Sequence, residues 1–389
     1  MTTFKNFLAE EASEEKLKHL EHAEDHVINS GAQGFSHAFH NLKDVHDKMV
    51  GKNNKTKITM KYDGSPSVVF GTNPENGRFF VASKSAFNKN PKINYTHEDI
   101  ERNHGHAPGL VQKLKAALDH FPKVTPKKGV FQGDIMHTHN DLHVSRDKVH
   151  FTPNTITYSS HKDSEHGKAA LGSKIGVAVH TKYNGKNLES MKAEYAPELK
   201  QFKKHKDVHL MSTHHEVEKS TYTPQQQAKF VKHLTSAANI YRRTKPETYE
   251  SIQGHEIPLK TYINHTVRTG TKPHIDEFMQ HYAKSHAKKV DSVKTAKAKM
   301  SKTAAMESDI GHVQRNRQHI DRLLKMHHHL QRAKDVLAKT LSTHSEFEHS
   351  ISGKKSKPEG FVVVRHNRPT KIVDRAEFSA ANFNKGKAL

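Results

Sequence analysis

The apolar positions of this chain change their period along its length. Over residues 14–50 they recur at helical spacing, first Leu17, Leu20, Ala23, Val27 and Ile28, then Ala38, Phe39, Leu42, Val45 and Met49. Gly31 and Gly34 interrupt the run, so it predicts two helices. After a polar turn over 51–57 the alternation Ile58-Thr59-Met60 predicts a strand, and Ser67-Val68-Val69-Phe70-Gly71 a second one beyond a tight turn. Asn76-Gly77 is the strongest hairpin signal in the chain, with a return strand over 78–84. Leu110, Val111, Leu114 and Leu118 predict a short helix over 108–120. Further strands are expected over 129–136, 149–158, 174–184 and 207–211, the run Ile175-Gly176-Val177-Ala178-Val179 being of the buried kind.

The character changes at Thr223-Pro224, a good N-cap and first-turn pair. From there to about 348 the pattern is helical, basic and rich in histidine, with a long apolar series through Ile310, Val313, Ile320, Leu323, Leu324, Leu330, Val336, Leu337 and Leu341. The stretch Lys288 to Lys302 is polar enough to be expected exposed. A polar linker over 353–358 ends this region, and strands return at Glu359–Arg365 and Thr370–Asp374. The expected fold class is α+β. A first block over 11–222 and a last pair of strands over 353–389 form one core, interrupted by a helical insertion over 223–352.

Composition narrows the chemistry. The 389 residues suffice for one large domain with an insertion or for two domains. There is no cysteine, which excludes disulfides, thiolate metal sites and cysteine nucleophiles. No apolar run approaches the roughly 18 residues of a membrane span, and no secretory segment is evident, so a cytoplasm-like compartment or a particle interior is expected. Sixty-three Lys and Arg face 41 Asp and Glu, for a formal charge of +22. A surface of that sign attracts polyanions, and nucleic acid is the expected partner through its phosphates. The absence of tryptophan argues against base stacking as the main recognition.

The candidate chemistry centres on Lys61-Tyr62-Asp63-Gly64-Ser65-Pro66. A lysine at the mouth of a strand turn can act as a nucleophile if burial or neighbouring cations lower its pKa, and Gly64 lets the backbone approach a ligand. Taken alone, the hexapeptide reads as a hairpin with a solvated lysine. A series of downstream residues is more specific: Ser83-Lys84 at a strand end, Gly133-Asp134, the apolar strand 175–180, Glu359-Gly360 opening an apolar strand, and Lys371 with Ile372 and Val373 after it.

This series resembles the covalent nucleotidyltransferase superfamily of ATP-dependent DNA ligases, RNA ligases and mRNA capping enzymes, over about 58–375. The resemblance implies a core of antiparallel sheets with flanking helices. It implies that Lys61 attacks the α-phosphate of ATP and carries AMP. It implies that Asp63 and Gly64 complete the first motif, and that Lys84 contacts phosphate or ribose. Asp134 stands where the family has glutamate, against ribose or metal. Glu359 stands near the metal and Lys61, and Lys371 on the α-phosphate. Asp134 and Glu359 would then hold Mg²⁺, which takes oxygen ligands.

There are departures from the family pattern. Val373 takes the place of a second lysine. His180 and Tyr183 are the candidates for the base-stacking residue. The short stretch after Asp374 leaves no room for the trailing OB-type domain of DNA ligases and capping enzymes, so an RNA-ligase-like or specialised protein is expected. The block from Gly31 to Gly71 and the stretch 79–104 also resemble a phage protein family with this core. The first ten residues, with Phe4, Phe7 and Leu8 on one face and Leu8-Ala9-Glu10 at their end, resemble the cleavable capsid-targeting peptide of internal head proteins in T-even-like phages, which the prohead protease cuts.

The reading is therefore an ATP-dependent, ligase-like enzyme, found in the virion interior or the infected-host cytoplasm. Its rival is an internal head DNA-binding protein with an inactive core. The 35 histidines, among them the groups His137, His139, His143 and His327, His328, His329, show no convincing metal-ligand register and are expected on a solvated, pH-responsive surface.

Overall fold

The computed structural model describes residues 20–53, 55–217, 222–343 and 345–375. The fold is α+β, with several antiparallel sheets. The described chain opens with helix α1 (His26–Met49), then β1 (Lys57–Lys61), β2 (Ser67–Thr72), β3 (Phe79–Ala82), α2 (His97–His104) and α3 (Pro108–His120). Next come β4 (Val130–Thr138), β5 (His143–Val144), β6 (Lys148–Phe151), β7 (Thr157–His161), α4 (Glu165–Gly172), β8 (Ile175–Asn184), β9 (Lys192–Tyr195) and β10 (Val208–Met211). They lead into helices α5 (Pro224–Arg242), α6 (Pro246–Glu250), α7 (Glu256–Thr269), α8 (Ile275–Asp291), α9 (Ala296–Arg315) and α10 (Arg317–Leu341). Strands β11 (Glu348–Ile351), β12 (Lys354–Ser356), β13 (Gly360–Arg365) and β14 (Arg368–Val373) close the described chain.

The chain forms two compact units. The first comprises Lys57–Glu216 and Ser342–Pro369. Its largest sheet has the order β10-β8-β4-β2-β3, with β9 added on β8; only the β10–β8 pair is parallel. Two-residue alternation splits the sheet's side chains between two cores. Val68, Phe70, Phe131, Ile135, Val177 and Val179 pack with Val111, Leu114 and Ala117 of α3 and with Phe121. Val69, Phe80, Ala82, Val130 and Tyr183 point the other way, into a core with Phe87, Leu188 and Met191. A second sheet runs β12-β11-β7-β6-β5, and β1 pairs antiparallel with β13.

The second unit comprises Glu21–Thr56, Val217–Leu341 and the chain from Thr370. Its organising element is α10, which buries Ile320, Leu323, Leu324, His327, Leu330, Lys334, Leu337 and Leu341 at helical spacing. These residues pack on α5, through Phe230, Leu234 and Ala237, and on α1. Each fully buried leucine is worth about 1.5–3 kcal/mol relative to exposure. Helix α5 begins as expected: the Thr223 hydroxyl accepts from Gln226 N–H, and the Gln226 side chain accepts from Thr223 N–H.

Several expectations are corrected. Gly31 breaks the run as expected: at φ +53 beside non-helical Ser30 it parts α1 into two helical segments across a kink, whereas Gly34, also expected to break it, is helical. Residues 149–158 form no single strand; the chain reverses between β6 and β7. The linker over 353–358 contains β12, hairpinned onto β11 through Ser352 and Gly353, both at positive φ. The polar stretch 288–302 is as expected, helical apart from its turn and without a buried residue.

The boundaries move as well. Residues 21–56 leave the presumed core for the helical unit, because α1 has an apolar face that α10 covers, and 342–352 leave the insertion, because β11 pairs with β7. The expected targeting segment, residues 1–10, lies outside the described residues.

Candidate active site

The lysine motif is no hairpin. Strands β1 and β2 on either side of it belong to different sheets, β1 paired with β13 and β2 with β3 and β4. The motif is a crossover, and three anchors fix it. Ser65 N–H donates to the Ile135 carbonyl and Ile135 N–H to that of Pro66, each at 3.0 Å, which seats the loop along β4. The Lys113 ammonium reaches from α3 to the Ser65 carbonyl at 2.9 Å. The Asp63 carboxylate accepts from the Asn154 side chain at 2.9 Å and from the backbone N–H groups of Thr155 and Ile156 at 2.7 and 3.0 Å, while Asp63 N–H donates to the Tyr158 hydroxyl at 2.7 Å. Asp63 thus ties the motif to the β6–β7 reversal.

Lys61 ends β1 opposite Gly360. This register sets its side chain beside that of Glu359, 298 residues away in sequence, and Lys61 Nζ donates to both carboxylate oxygens at 2.6 Å. Burial alone would lower the lysine pKa. The Glu359 carboxylate, with Asp134 and Asp63 behind it, outweighs burial and holds Lys61 above the ordinary lysine range. The cationic surroundings expected to free this amine are replaced by carboxylates.

Asp134 lies on β4 opposite Ser67 of β2. Its Oδ1 is 3.5 Å from Nε2 of His180 on β8. Burial pushes the Asp134 carboxyl up, but His180, Lys61 and the Ser67 hydroxyl together hold it below the usual range. Ser67 also accepts from the Gln132 side chain at 2.8 Å. The face of the sheet carrying Ser67, Gln132, Asp134 and His180 is therefore polar beside the apolar core of Tyr183 and Phe87.

Five of the expected residues, Lys61, Asp63, Gly64, Asp134 and Glu359, are thus in one place. Lys84 opens a single turn capped by the Ser83 hydroxyl and makes no hydrogen bond or ion pair among the described residues. Lys371 lies on β14 in the helical unit's share of the chain, where its backbone N–H donates to the Glu21 carbonyl at 2.9 Å. Of the two stacking candidates, Tyr183 is buried and spends its hydroxyl on Gln132, whereas His180 faces Asp134. Ser67, Lys113 and Tyr158 give no sequence signal, since each acts by a contact with a residue distant in the sequence.

The histidines are also corrected. His137 and His327 are fully buried rather than solvated. His137 Nε2 lies 3.2 Å from His209 Nδ1, His209 Nε2 lies 3.0 Å from His166 Nδ1, and His166 Nε2 lies 2.9 Å from Glu346, a line of three rings ending on an exposed carboxylate. In the helical unit Glu24, Asp25 and His327 bring one potential ligand atom each within 4.8 Å of one another. Lys334 Nζ meets Glu24 at 2.7 Å, and Arg375 meets Asp25 at 3.0 Å and Glu24 at 3.3 Å. These cations already neutralise the two acids, so the group is an internal ion-pair network.

Among the described residues, no helix is long and apolar enough to cross a membrane. No curated protein and no solved structure matches the chain. One family model does, the Family of unknown function (DUF6267), over residues 16–387, so the chain belongs to the DUF6267 family.

Proposed function

We propose that the protein is an ATP-dependent, polynucleotide ligase-like nucleotidyltransferase that carries AMP on Lys61. The observation that supports this reading is the Lys61–Glu359 pair, set beside Asp134 on a loop that three separate anchors immobilise. Lys61 starts as an ammonium, and Glu359, 2.6 Å away, is the acceptor for the proton it must lose. The free amine attacks the α-phosphorus of ATP; the nitrogen–phosphorus bond forms as the bond to pyrophosphate breaks. AMP then passes to the 5′-phosphate of a nucleic-acid end, RNA being the first to test, and Lys61 is released.

Asp134 and Glu359 form an all-oxygen donor pair, which suits a hard dication such as Mg²⁺; bound there, it would offset phosphate charge. Lys84 is the further phosphate contact that the motif order suggests. On this reading the protein works in the capsid interior or the infected-host cytoplasm.

The test is incubation with α-labelled ATP and Mg²⁺, then a denaturing gel. The wild-type chain should retain label and Lys61→Ala should not. Label on Lys61→Ala, or none on wild type, overturns the assignment.

One observation favours a second reading, an inactive core in a DNA-binding head protein: the carboxylates hold Lys61 protonated. An unlabelled wild type that is recovered from purified virions, cut after Glu10, would support it.

A further inference from the structure

Helices α8 and α9, joined over residues 292–295, run antiparallel as a hairpin. At its base Asp309 of α9 faces two groups of α8, the Tyr282 hydroxyl at 3.3 Å and His286 Nε2 at 3.2 Å. Beyond the base the hairpin has no core. From Ala287 to His312 no residue is buried, and Val313 is the one buried residue of α9. A helix that is polar on every side is normally held by pairs along its own surface or bridges to something else.

Pairs do not account for it. Between Lys284 and Lys302 there are seven lysines, one acidic residue, Asp291, and no arginine. None of these seven ammonium groups makes an ion pair or hydrogen bond among the described residues. Elsewhere on the surface lysines do find acids: Lys115 meets Glu101 at 2.6 Å, Lys123 meets Asp207 at 2.6 Å, and Lys148 meets Glu348 at 2.8 Å. Most residues between the hairpin lysines are small, Ala296, Ala298 and Ser301 among them, so little side-chain bulk separates these charges from a broad partner. Met300, at 74% exposure, is the one large apolar side chain standing out from the tip.

We propose that the α8–α9 hairpin is a docking arm for the phosphate backbone of double-stranded nucleic acid, independent of base sequence. Charge complementarity selects a polyanion. Lysine offers point charges without the planar fork that reads guanine or grips one phosphate bidentately. Single-strand binding relies on aromatic stacking, and residues 283–302 contain no aromatic ring other than His286, which is engaged with Asp309. One methionine is too little apolar surface for insertion into a membrane.

The test uses the full chain and a short fluorescent random-sequence duplex, titrated by anisotropy at several salt concentrations near pH 8, where histidines are neutral. No ATP is needed, so the outcome is separate from the Lys61 reading. Lys289, Lys294, Lys297 and Lys299 are replaced together by Gln. Neutralising about three phosphate contacts should cut the slope of log affinity against log salt by about 3, and lower affinity by roughly tenfold or more at moderate salt. A control replaces the paired Lys43, Lys115, Lys123 and Lys148 by Gln.

The proposal is overturned if the hairpin variant binds as wild type does. It is also overturned if the control loses as much as the hairpin variant, or if wild type prefers anionic vesicles or polyglutamate to the duplex. Circular dichroism checks that the variant remains helical; if it does not, the single exchange Lys297→Gln should still reduce the slope by close to one, and an unchanged slope there overturns the proposal.

Discussion

Gly64 and Asp134 approach so closely that a β-carbon on Gly64 would stand 2.5 Å from the Asp134 β-carbon and 2.9 Å from Met136 Sδ. The Asp134 atom is rooted in β4 and cannot swing away. Gly64→Ala should therefore either lift the motif loop off β4 or push Asp134 from Lys61. The expected cost is about 1–3 kcal/mol, the usual range for overpacking. AMP labelling should be lost as well. A variant that melts and labels like wild type would show that the loop is only loosely seated on β4.

The Lys61–Glu359 pair predicts a change in lysine reactivity that requires no nucleotide. In wild type the carboxylate keeps Lys61 protonated against the effect of burial. Glu359→Gln removes that charge, so the Lys61 pKa should fall and its free amine should become more abundant near neutral pH. Competitive acylation read by mass spectrometry should show Lys61 reacting faster in the variant than in wild type. Equal rates would mean that Glu359 does not govern this amine.

Buried histidines predict acid lability in a defined window. Burial holds His137 and His349 down at about 4, and burial with Lys334 nearby holds His22 at about 3, against 6.5 in an unfolded chain. Between these values the unfolded chain binds protons that the folded one refuses, so stability falls as pH drops from about 6.5 toward 4. His137 alone contributes up to about 3 kcal/mol of loss at the low end. Above pH 7 the dependence should flatten. Melting curves from pH 8 to 5 test this, and a midpoint that holds steady or rises on acidification contradicts it.

The fully buried Lys334–Glu24 pair predicts non-additive stability. Lys334→Met removes the nearer of two cations and leaves Glu24 buried with only Arg375, at 3.3 Å, at a cost of about 3 kcal/mol, the low end for breaking a buried pair. Adding Glu24→Leu should recover much of that loss, because Arg375 retains Asp25 as a partner. Denaturant unfolding of the two single variants and the double measures the coupling. Simple additivity would mean that the two residues do not act as a pair.

Local elements were legible where the pattern was strong. The periodicity located α3, β8 and the start of α5 closely, because burial of a regular face decides those segments. The order of Lys61, Asp134 and Glu359 was also legible. That β1 and β2 diverge into different sheets was not, because β1 pairs with β13 across most of the chain, Lys61 opposite Gly360 and Lys57 opposite Val364, and no local pattern connects them. Helix α1 shows an apolar face but not which partner covers it, hence its assignment to the wrong unit. On α10 the apolar pattern passes over His327 and Lys334 as polar, yet both are buried, because Asp25 and Glu24 meet them there.

The ion-pair network of the helical unit draws on three separated parts of the chain, and this dictates a timetable. Glu24 leaves the ribosome 310 residues before Lys334 and 351 before Arg375. At elongation rates of about 5–20 residues per second, that is a wait of roughly 15–60 s. Through that interval the acids have no cation to be buried with, and desolvating them alone is prohibitive. Glu24 and Asp25, just before α1, must therefore remain hydrated until synthesis has passed α10. The helical unit closes after translation of the segment that carries Arg375, even though its first helix is made before the described strands of the other unit.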